Sequence, residues 1–394
     1  MLFNSFEYLI FLPIVFILHW FVFQRNLKLQ NGLILVCSYV FYAWWDWRFL
    51  FLIFLSTIVD YYVGLKIHYC KQTIIRLRFL WVSIVFNLSV LGFFKYYNFF
   101  IDSWTDLLSS VGYDIQSVWT LNIILPIGIS FYTFQTMSYS LDVYHRKIKP
   151  TTDFISFASY VSFFPQLVAG PIERASHLLP QIMKRRNFNY EQGVQGLRLI
   201  LWGMFKKVFI ADSLAVYVDW TFENINNLDG AVLFLGLIYF AFQIYCDFSG
   251  YFDIANGSGE ILGISFPDNF NCPYHAASFS DFWRRWHITL SHWLRDYLYI
   301  PLGGNRMGFI NQLRNVIITM VLGGLWHGAN WTFVIWGLCH GVGIAISHLL
   351  SKFQFFESLR FPKWIKILIV FHIVAFLWVF FRSPNLDTAQ QILI

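Results

Sequence analysis

Repeated runs of about 20 mostly apolar residues limit what this chain can fold into more than any other feature of the sequence. A helix needs about 20 such residues to cross the hydrocarbon core of a bilayer. Windows that meet this requirement lie near 8–24, 31–47, 49–66, 79–100, 118–140, 194–214, 231–248, 312–327, 331–350 and 363–381. Weaker or interrupted apolar stretches lie near 153–170 and 283–302. The sequence therefore predicts an all-α, polytopic membrane helical bundle with about 10–12 embedded segments, some of them re-entrant.

The composition agrees with this class of fold. Hydrophobic residues make up 57% of the chain and charged residues only 13%, whereas soluble domains are about 45–50% apolar and about 25% charged. A soluble fold of 394 residues would have too few charges to cover its surface, but in a bilayer the apolar surface faces lipid. The 5 cysteines form no C-x-x-C pair, so we expect no disulfide framework and no metal site. Membrane lipids are the expected surroundings, and no nucleic-acid partner is expected.

The basic residues of the loops predict the orientation of the first five spans. Cytoplasmic loops hold more Lys and Arg than loops on the other side of the membrane. Arg25 and Lys28 follow the first span, residues 66–78 follow the third with four basic side chains, and residues 146–149 follow the fifth with three. The connection 102–114 between these clusters carries Asp102, Asp106 and Asp114 and no basic residue. The N-terminus is therefore predicted to lie outside.

The apolar stretch 153–170 does not fit a simple crossing. Basic clusters flank it on both sides, at 146–149 and at 184–186, and a full crossing would place one of them outside. The helix breakers in and beside this stretch are Pro165, Gly170 and Pro171. A re-entrant hairpin would keep both clusters on one side, and non-helical backbone at membrane depth must be buried in protein or line a cavity. We therefore expect this stretch to line a cavity.

Polar and ionisable residues concentrate at 281–297, where they are functional candidates because they are costly in lipid. As one continuous helix, this segment would place Trp283, His287 and Ser291 along one line and Arg284, Ile288 and His292 along the next. Such a helix would lie at the cytoplasmic rim or line a polar channel. The alternative for the pair Arg284–Arg285 is a signal of topology alone.

A second candidate is His327, in the string GGLWHGANWT at 323–332. Glycines on both sides of this histidine let another backbone or a substrate approach closely. An imidazole can be neutral at pH 7 and can accept and return a proton. The alternative is a hydrogen-bonded packing residue, and this is the interpretation that we favour for His340 and His372. Lys206 and Lys207 stand in an apolar run, where they either extend to the membrane surface or bind a lipid phosphate.

Several strings resemble a known family. The runs FWRRWHITLSHWLRDYLYIPLGGNR (282–306) and GGLWHGANWTFVIWGLCHG (323–341) are similar to the signature of the membrane-bound O-acyltransferases. The runs ILPIGISFYTFQTMSYSLDVYHRK (124–147), SFFPQLVAGPIER (162–174) and YCDFSGYFDIA (245–255) resemble its bacterial alginate O-acetyltransferase branch.

The resemblance implies one membrane-embedded domain over 1–394, with a tunnel that joins a cytoplasmic donor side to an extracellular acceptor side. It implies that His327 is the catalytic histidine and that His287 takes the second catalytic position. In this reading His327 acts as general base, and His287 orients the acyl group or hydrogen-bonds the developing oxyanion. The substrate-binding residues are expected to be Trp326, Asn330, Arg295, Asp296 and Asn305.

The expected function is transfer of an acetyl group from a cytoplasmic thioester, acetyl-CoA or an acyl carrier, to hydroxyls of a cell-surface or periplasmic polysaccharide. No tightly bound cofactor is expected. A periplasmic esterase-like partner and a location in the bacterial inner membrane are implied. The alternatives are a transporter or flippase, since buried His and Arg also mark substrate pathways, and an inactive partner subunit. The chain ends at Ile394, just after a span, so we also expect that it is truncated relative to other family members.

Overall fold

The computed structural model describes residues 1–113, 119–168, 170–350, 352 and 362–393. Asp114, from the predicted acidic connection, and Ile394 lie outside the described residues. All regular secondary structure in the described part of the chain is helical, which confirms the predicted all-α class.

The described chain divides into two compact units, of which the first comprises Met1–Met204 and Tyr251–Phe266. Its helices are α1 (Phe6–Ile17), α2 (Leu27–Asp46), α3 (Leu50–Tyr69), α4 (Thr73–Leu91), α5 (Tyr97–Ser110), α6 (Ile129–Tyr144), α7 (Phe154–Ser162), α8 (Phe164–Leu167), α9 (Ala175–Met183) and α10 (Tyr190–Met204). Single π-helical segments follow α1 and α4, at Leu18–Val22 and Gly92–Tyr96.

The second unit comprises Phe205–Gly250 and Pro267–Ile394. Its helices are α11 (Asp212–Glu223), α12 (Gly230–Ile261, which ends in the first unit), α13 (Phe279–Arg285), α14 (Ile288–Leu294), α15 (Phe309–His327), α16 (Trp331–Leu350), α17 (Lys363–Arg382) and α18 (Leu386–Leu393). Two π-helical segments, Phe205–Ala211 and Arg295–Tyr299, belong to this unit.

Five helical segments among the described residues are long and apolar enough to cross a membrane. They are Leu27–Tyr69, Thr73–Ser110, Gly230–Ile261, Trp331–Leu350 and Lys363–Arg382. The first of these contains α2 and α3, which are separated where Asp46 adopts an extended conformation. These helices are those of a multi-pass membrane protein, and the larger number of about 10–12 embedded segments stays a prediction.

The predicted span at 118–140 is wrong as a single helix. Helix α6 begins only at Ile129, and the described residues before it are irregular. Gly128 has a φ of 77°, and a Cβ at this position would lie 2.4 Å from the carbonyl oxygen of Leu167. The turn therefore requires glycine, and together with Pro126 it prevents the helix from starting earlier.

The stretch 153–170 is interrupted, as its helix breakers predict. Helix α7 ends at Ser162, the short α8 contains Pro165, and regular helix resumes only at Ala175. Every residue of α8 is buried. In this stretch the irregular backbone lies inside protein, which is the condition under which such backbone is tolerated in a membrane protein.

A buried polar cluster joins three helices of the first unit. The carboxylate of Asp60 on α3 is fully buried and accepts hydrogen bonds from Ser83 on α4 and, at 2.8 Å each, from Asn87 on α4 and Ser140 on α6. A buried carboxylate is costly unless hydrogen bonds satisfy it. The cluster therefore fixes the register of α3, α4 and α6.

Glycines bring α15 and α16 close together in the second unit. A Cβ on Gly324 would lie 2.2 Å from the carbonyl oxygen of Phe333, and a Cβ on Gly337 would lie 2.3 Å from the carbonyl oxygen of Met320. Small residues allow helix backbones to pack at short distance in membranes. Of the two alternatives for the glycine string, approach of another backbone is the one observed at Gly324. This contact places the end of α15 beside the start of α16.

Candidate active site

His327 is the last residue of α15 and lies in a ring of aromatic side chains. Its ring centroid is 5.2 Å from that of Trp336 on α16, 5.3 Å from that of Phe381 on α17 and 6.5 Å from that of His287. The side chain is half-buried. Helix α15 therefore delivers one imidazole to a largely apolar pocket, where a second imidazole stands close by.

The predicted continuous helix over 281–297 is wrong at its centre. Helix α13 ends at Arg285, α14 begins at Ile288, and His287 between them has a φ of 44°, in the left-handed region. That region is uncommon for residues other than glycine. The predicted lines of side chains along one helix therefore do not continue across His287.

The irregular segment 269–271 stabilises this break between α13 and α14 by hydrogen bonds. The backbone N–H of Asn271 donates to the carbonyl oxygen of Arg285 at 2.9 Å, and that of Ile288 donates to the carbonyl oxygen of Asn269 at 3.0 Å. The side-chain oxygen of Asn269 accepts the N–H of Thr289 at 3.0 Å. These bonds replace helical hydrogen bonds at the turn, so a tertiary contact overrides the local helical pattern.

The imidazole of His287 is 0% exposed. Its ring centroid lies 4.8 Å from that of Phe248 and 6.2 Å from that of Trp326. Burial in apolar surroundings disfavours the charged form of an imidazole. His287 is therefore expected to be neutral, with one nitrogen that can donate a hydrogen bond and one that can accept.

His340 and His372 have contacts that agree with the packing interpretation. The indole N–H of Trp283 donates to Nδ1 of His340 at 3.2 Å, and the His340 ring is 4.7 Å from that of Trp336. His372 is partly buried on α17. Its Nδ1 donates to the carbonyl oxygen of Leu368 at 2.7 Å, and its ring stacks on that of Phe234 at 5.9 Å between centroids.

A cavity of about 420 Å³ opens beside the aromatic cluster. Its polar lining includes Arg284, Arg295, His292 and His348, together with Ser280 and Ser291. The lining residues come from α13, α14, α15 and α16 and from the π-helical segment after α14. His287 and His327 do not line this cavity. Trp283 does, and its indole also contacts Trp336 at 5.7 Å between centroids. The ring of Trp336 in turn contacts that of His327.

Three of the predicted substrate-binding residues lie near these two features. Trp326 is buried beside both histidines, with its ring 5.1 Å from that of His327. Arg295 lines the cavity, and its Nε donates to Asp296 at 2.6 Å. The structure thus places Trp326 with the histidines and Arg295 and Asp296 at the cavity.

The other two predicted substrate-binding residues lie apart from the histidine rings. Asn305 is exposed in the turn that follows the π-helical segment. Asn330 accepts the N–H of Thr332 at 2.9 Å, which caps the start of α16, and donates to the carbonyl oxygen of Pro384 at 2.7 Å. The amide of Asn330 therefore holds the start of α16 and the chain beyond α17. Substrate binding by either residue stays a prediction.

Asn269, which is fully buried against His287, was not among the predicted site residues. Its only signal in the sequence is weak: Asn269 and Asn271 flank Phe270 in a segment bounded by Pro267 and Pro273. Lys206 and Lys207 had two possible roles, at the membrane surface or on a lipid phosphate. Both contact protein groups, since Lys206 donates to Ser249 at 3.0 Å and Lys207 pairs with Asp212 and Asp247 at 2.7 and 2.6 Å.

No group of three or more His, Cys, Asp or Glu side chains that could hold a metal ion occurs among the described residues. The groups that the structure brings together at the pocket are two imidazoles, surrounded by indole and phenyl rings.

Comparisons with known proteins bear directly on this pocket. The family model described as MBOAT, the membrane-bound O-acyltransferase family, matches residues 41–384, a range that includes both His287 and His327. The chain is 44% identical over 393 residues to the Pseudomonas aeruginosa protein named "Probable alginate O-acetylase AlgI", with 99% of this chain and 74% of the relative covered. It is 39% identical to the "Peptidoglycan O-acetyltransferase" of Helicobacter pylori, with 97% and 77% covered. A more distant relative, the "Teichoic acid D-alanyltransferase" of Bacillus subtilis, is 27% identical, with 67% and 70% covered.

Proposed function

Because the chain belongs to the membrane-bound O-acyltransferase family, we propose that it moves an acetyl group from a cytoplasmic thioester donor toward hydroxyls of a cell-surface or periplasmic polysaccharide. The reaction class, O-acyl transfer by a multi-pass membrane protein, follows from the family. The choice of an acetyl group and a polysaccharide is supported by the names of relatives, which describe an alginate O-acetylase and a peptidoglycan O-acetyltransferase.

The observation that carries the proposal is the pair of imidazoles, His287 and His327, with ring centroids 6.5 Å apart in an aromatic pocket. In this proposal His327 removes the proton from the attacking hydroxyl, and such general base catalysis contributes about 10²–10⁴-fold in rate. The proton then passes to the departing thiolate. The surrounding rings, including Trp326 and Trp336, exclude the water that would otherwise hydrolyse the thioester.

The cavity beside the pocket supports the proposed donor. Acetyl-CoA and acyl carriers both bear phosphate, and guanidinium groups are well suited to hold phosphate oxygens. Arg284 and Arg295 bring two such groups to the cavity. The donor is a substrate in this scheme, so no tightly bound cofactor is required.

The location and the further partner are proposals of the same kind. Thioester donors are made in the cytoplasm, whereas surface polysaccharides lie beyond the inner membrane, so a chain that joins the two belongs in the bacterial inner membrane. A periplasmic esterase-like partner would complete the transfer to the polymer.

The test is complementation of a strain that lacks the gene. We expect that wild-type protein restores the O-acetyl content of the surface polysaccharide and that His327→Ala lowers the rate of acetylation by about 10²–10⁴-fold, because the general base is lost. His372→Ala is the matched control, since the ring of His372 packs on Phe234 and its Nδ1 donates to Leu368 of its own helix. The control should acetylate at the wild-type rate, with equal protein levels in the membrane fraction.

Two outcomes would overturn the proposal. Normal acetylation by His327→Ala would show that this histidine does no chemistry, as expected for an inactive partner subunit. A His327→Ala protein that still moves an intact substrate, together with wild-type protein that never consumes labelled acetyl-CoA, would indicate a transporter or flippase.

A further inference from the structure

Asn269 lies between α12 and α13 and is 0% exposed. Its side-chain oxygen Oδ1 is 3.0 Å from the backbone nitrogen of Thr289, 3.0 Å from the hydroxyl of Thr289 and 3.3 Å from Nδ1 of His287. One amide oxygen thus meets three polar groups on the two residues that flank Ile288. This arrangement bears on which nitrogen of His287 carries the proton.

The backbone N–H of Thr289 decides the orientation of the amide. A backbone N–H can only donate, so the atom of Asn269 that faces it is the oxygen and not the nitrogen. An amide oxygen can only accept, so the nitrogen of His287 that faces the same oxygen must carry a hydrogen. The contact therefore identifies Nδ1 of His287 as the protonated nitrogen.

A neutral imidazole carries only one N–H, so Nε2 of His287 has a free lone pair. This nitrogen is buried and has no hydrogen-bond partner among the described residues. An unsatisfied buried acceptor is costly unless a ligand completes it. His327 lies in the same pocket, with its ring centroid 6.5 Å from that of His287.

We propose that Asn269 is a positioning residue that holds His287 in its Nδ1–H tautomer, so that Nε2 accepts a hydrogen bond from the hydroxyl of the acceptor. This inference rests on the proposed function. It changes the role expected for His287, because a nitrogen without a hydrogen cannot donate to a developing oxyanion. His287 orients the hydroxyl, and His327 remains the group that removes its proton.

The tautomer can be read without any acyl transfer. The measurement is NMR of protein labelled with ¹⁵N-histidine and held in nanodiscs. The chain has 11 histidines, and the signal that His287→Gln removes is that of His287. We expect the wild-type signal of His287 to show a protonated Nδ1 and an unprotonated Nε2. An unprotonated Nδ1 with a protonated Nε2 would overturn the proposal.

Three variants test the contribution of Asn269. Asn269→Leu keeps the side-chain size and removes the acceptor, so we expect a mixture of His287 tautomers and about a tenfold or larger loss of acetylation, since a wrong histidine tautomer is costly to catalysis. Asn269→Asp keeps an acceptor oxygen and should keep the Nδ1–H tautomer. Thr289→Val is the matched control, because it keeps the backbone N–H that orients the amide of Asn269 and removes a hydroxyl bond to the same oxygen, so it should leave the tautomer unchanged.

The variants also separate this inference from the proposed function. An unchanged tautomer and full activity in Asn269→Leu would overturn the role of Asn269. If Asn269→Leu does not fold, the wild-type spectrum and the Asn269→Asp spectrum still decide the tautomer. An Nδ1–H tautomer in a protein whose His327→Ala variant acetylates normally would confirm the contact and refute the proposed function.

Discussion

Four histidines of the second unit have different environments, and the environment separates their roles. His287 is buried with one nitrogen on an amide oxygen, His327 ends a helix in an aromatic pocket, and His340 accepts a hydrogen bond from Trp283. His372 is partly buried on α17 and packs on Phe234. Residue type is the same in all four cases, so only burial and hydrogen-bond partners distinguish the histidines of the candidate site from those that pack around it.

The contact between Trp283 and His340 gives a prediction about stability. Trp283→Phe removes the indole N–H and leaves a buried nitrogen of His340 without its donor. We expect a loss of about 1 kcal/mol in the free energy of unfolding beyond the loss of ring volume. The measurement is denaturant unfolding in detergent.

Trp336→Phe is the control for ring volume. Trp336 lies in the same cluster, and its indole nitrogen has no hydrogen-bond partner among the described residues. It therefore loses the same volume without losing a hydrogen bond. Equal losses of stability in the two variants would show that the bond to His340 contributes nothing.

At the scale of whole elements, close helix packing and helix interruption both shape the site. Helix α15 can deliver His327 beside α16 because Gly324 and Gly337 let the two backbones approach. The break between α13 and α14 delivers His287 into the same pocket. A straight helix in place of α13 and α14 would not bring His287 into this pocket. Larger side chains at Gly324 and Gly337 would keep α15 and α16 apart.

Gly324→Ala tests the contact between α15 and α16. The added Cβ would lie 2.2 Å from a carbonyl oxygen and 3.1 Å from the Cα of Gly337, so the helices must separate. We expect a loss of stability of about 1–3 kcal/mol, as for other overpacked sites, and reduced acetylation because His327 moves. Thermal unfolding and the acetylation assay measure the two effects.

Gly32→Ala is the control, because a Cβ on Gly32 would meet nothing within 4 Å. It lies inside α2, where alanine is favoured over glycine by about 0.5–1 kcal/mol. This variant should be as stable as wild type or more stable. Wild-type stability in Gly324→Ala would contradict the packing argument.

At the scale of the whole molecule, helix length and charge together predict the orientation in the membrane. The helical segment Thr73–Ser110 has 38 residues and is therefore about 57 Å long, longer than the hydrocarbon core of about 30 Å. Its end near Ser110 carries Asp102 and Asp106, whereas the loop before it is basic. The basic end is predicted to be cytoplasmic and the acidic end to project on the other side.

Cysteine labelling tests this orientation. In a chain whose other cysteines are replaced, Ser110→Cys should react with a membrane-impermeant maleimide in intact cells. The native Cys70, which lies in the basic loop between α3 and α4 and is partly exposed, should react only after permeabilisation. The opposite pattern would invert the predicted topology.

The local sequence was sufficient for the all-α membrane class, for most helices and for the family. Apolar runs and long signature strings are contiguous, so the information they hold does not depend on distant residues. The same strings singled out His327 and His287. The positions of the breaks were predicted where proline and glycine cause them, as at Pro165.

Tertiary structure alone decided how the site is assembled. The helical pattern of 281–297 is local, and it failed at His287 because Asn269, 18 residues earlier, supplies the hydrogen bonds that hold the left-handed turn. The same contact selects which nitrogen of His287 is protonated. The contact of Gly324 with Gly337 determines the position of His327 at the end of α15. Sequence periodicity reports which face of a helix is apolar, but it contains nothing about which distant group will hydrogen-bond to a given turn.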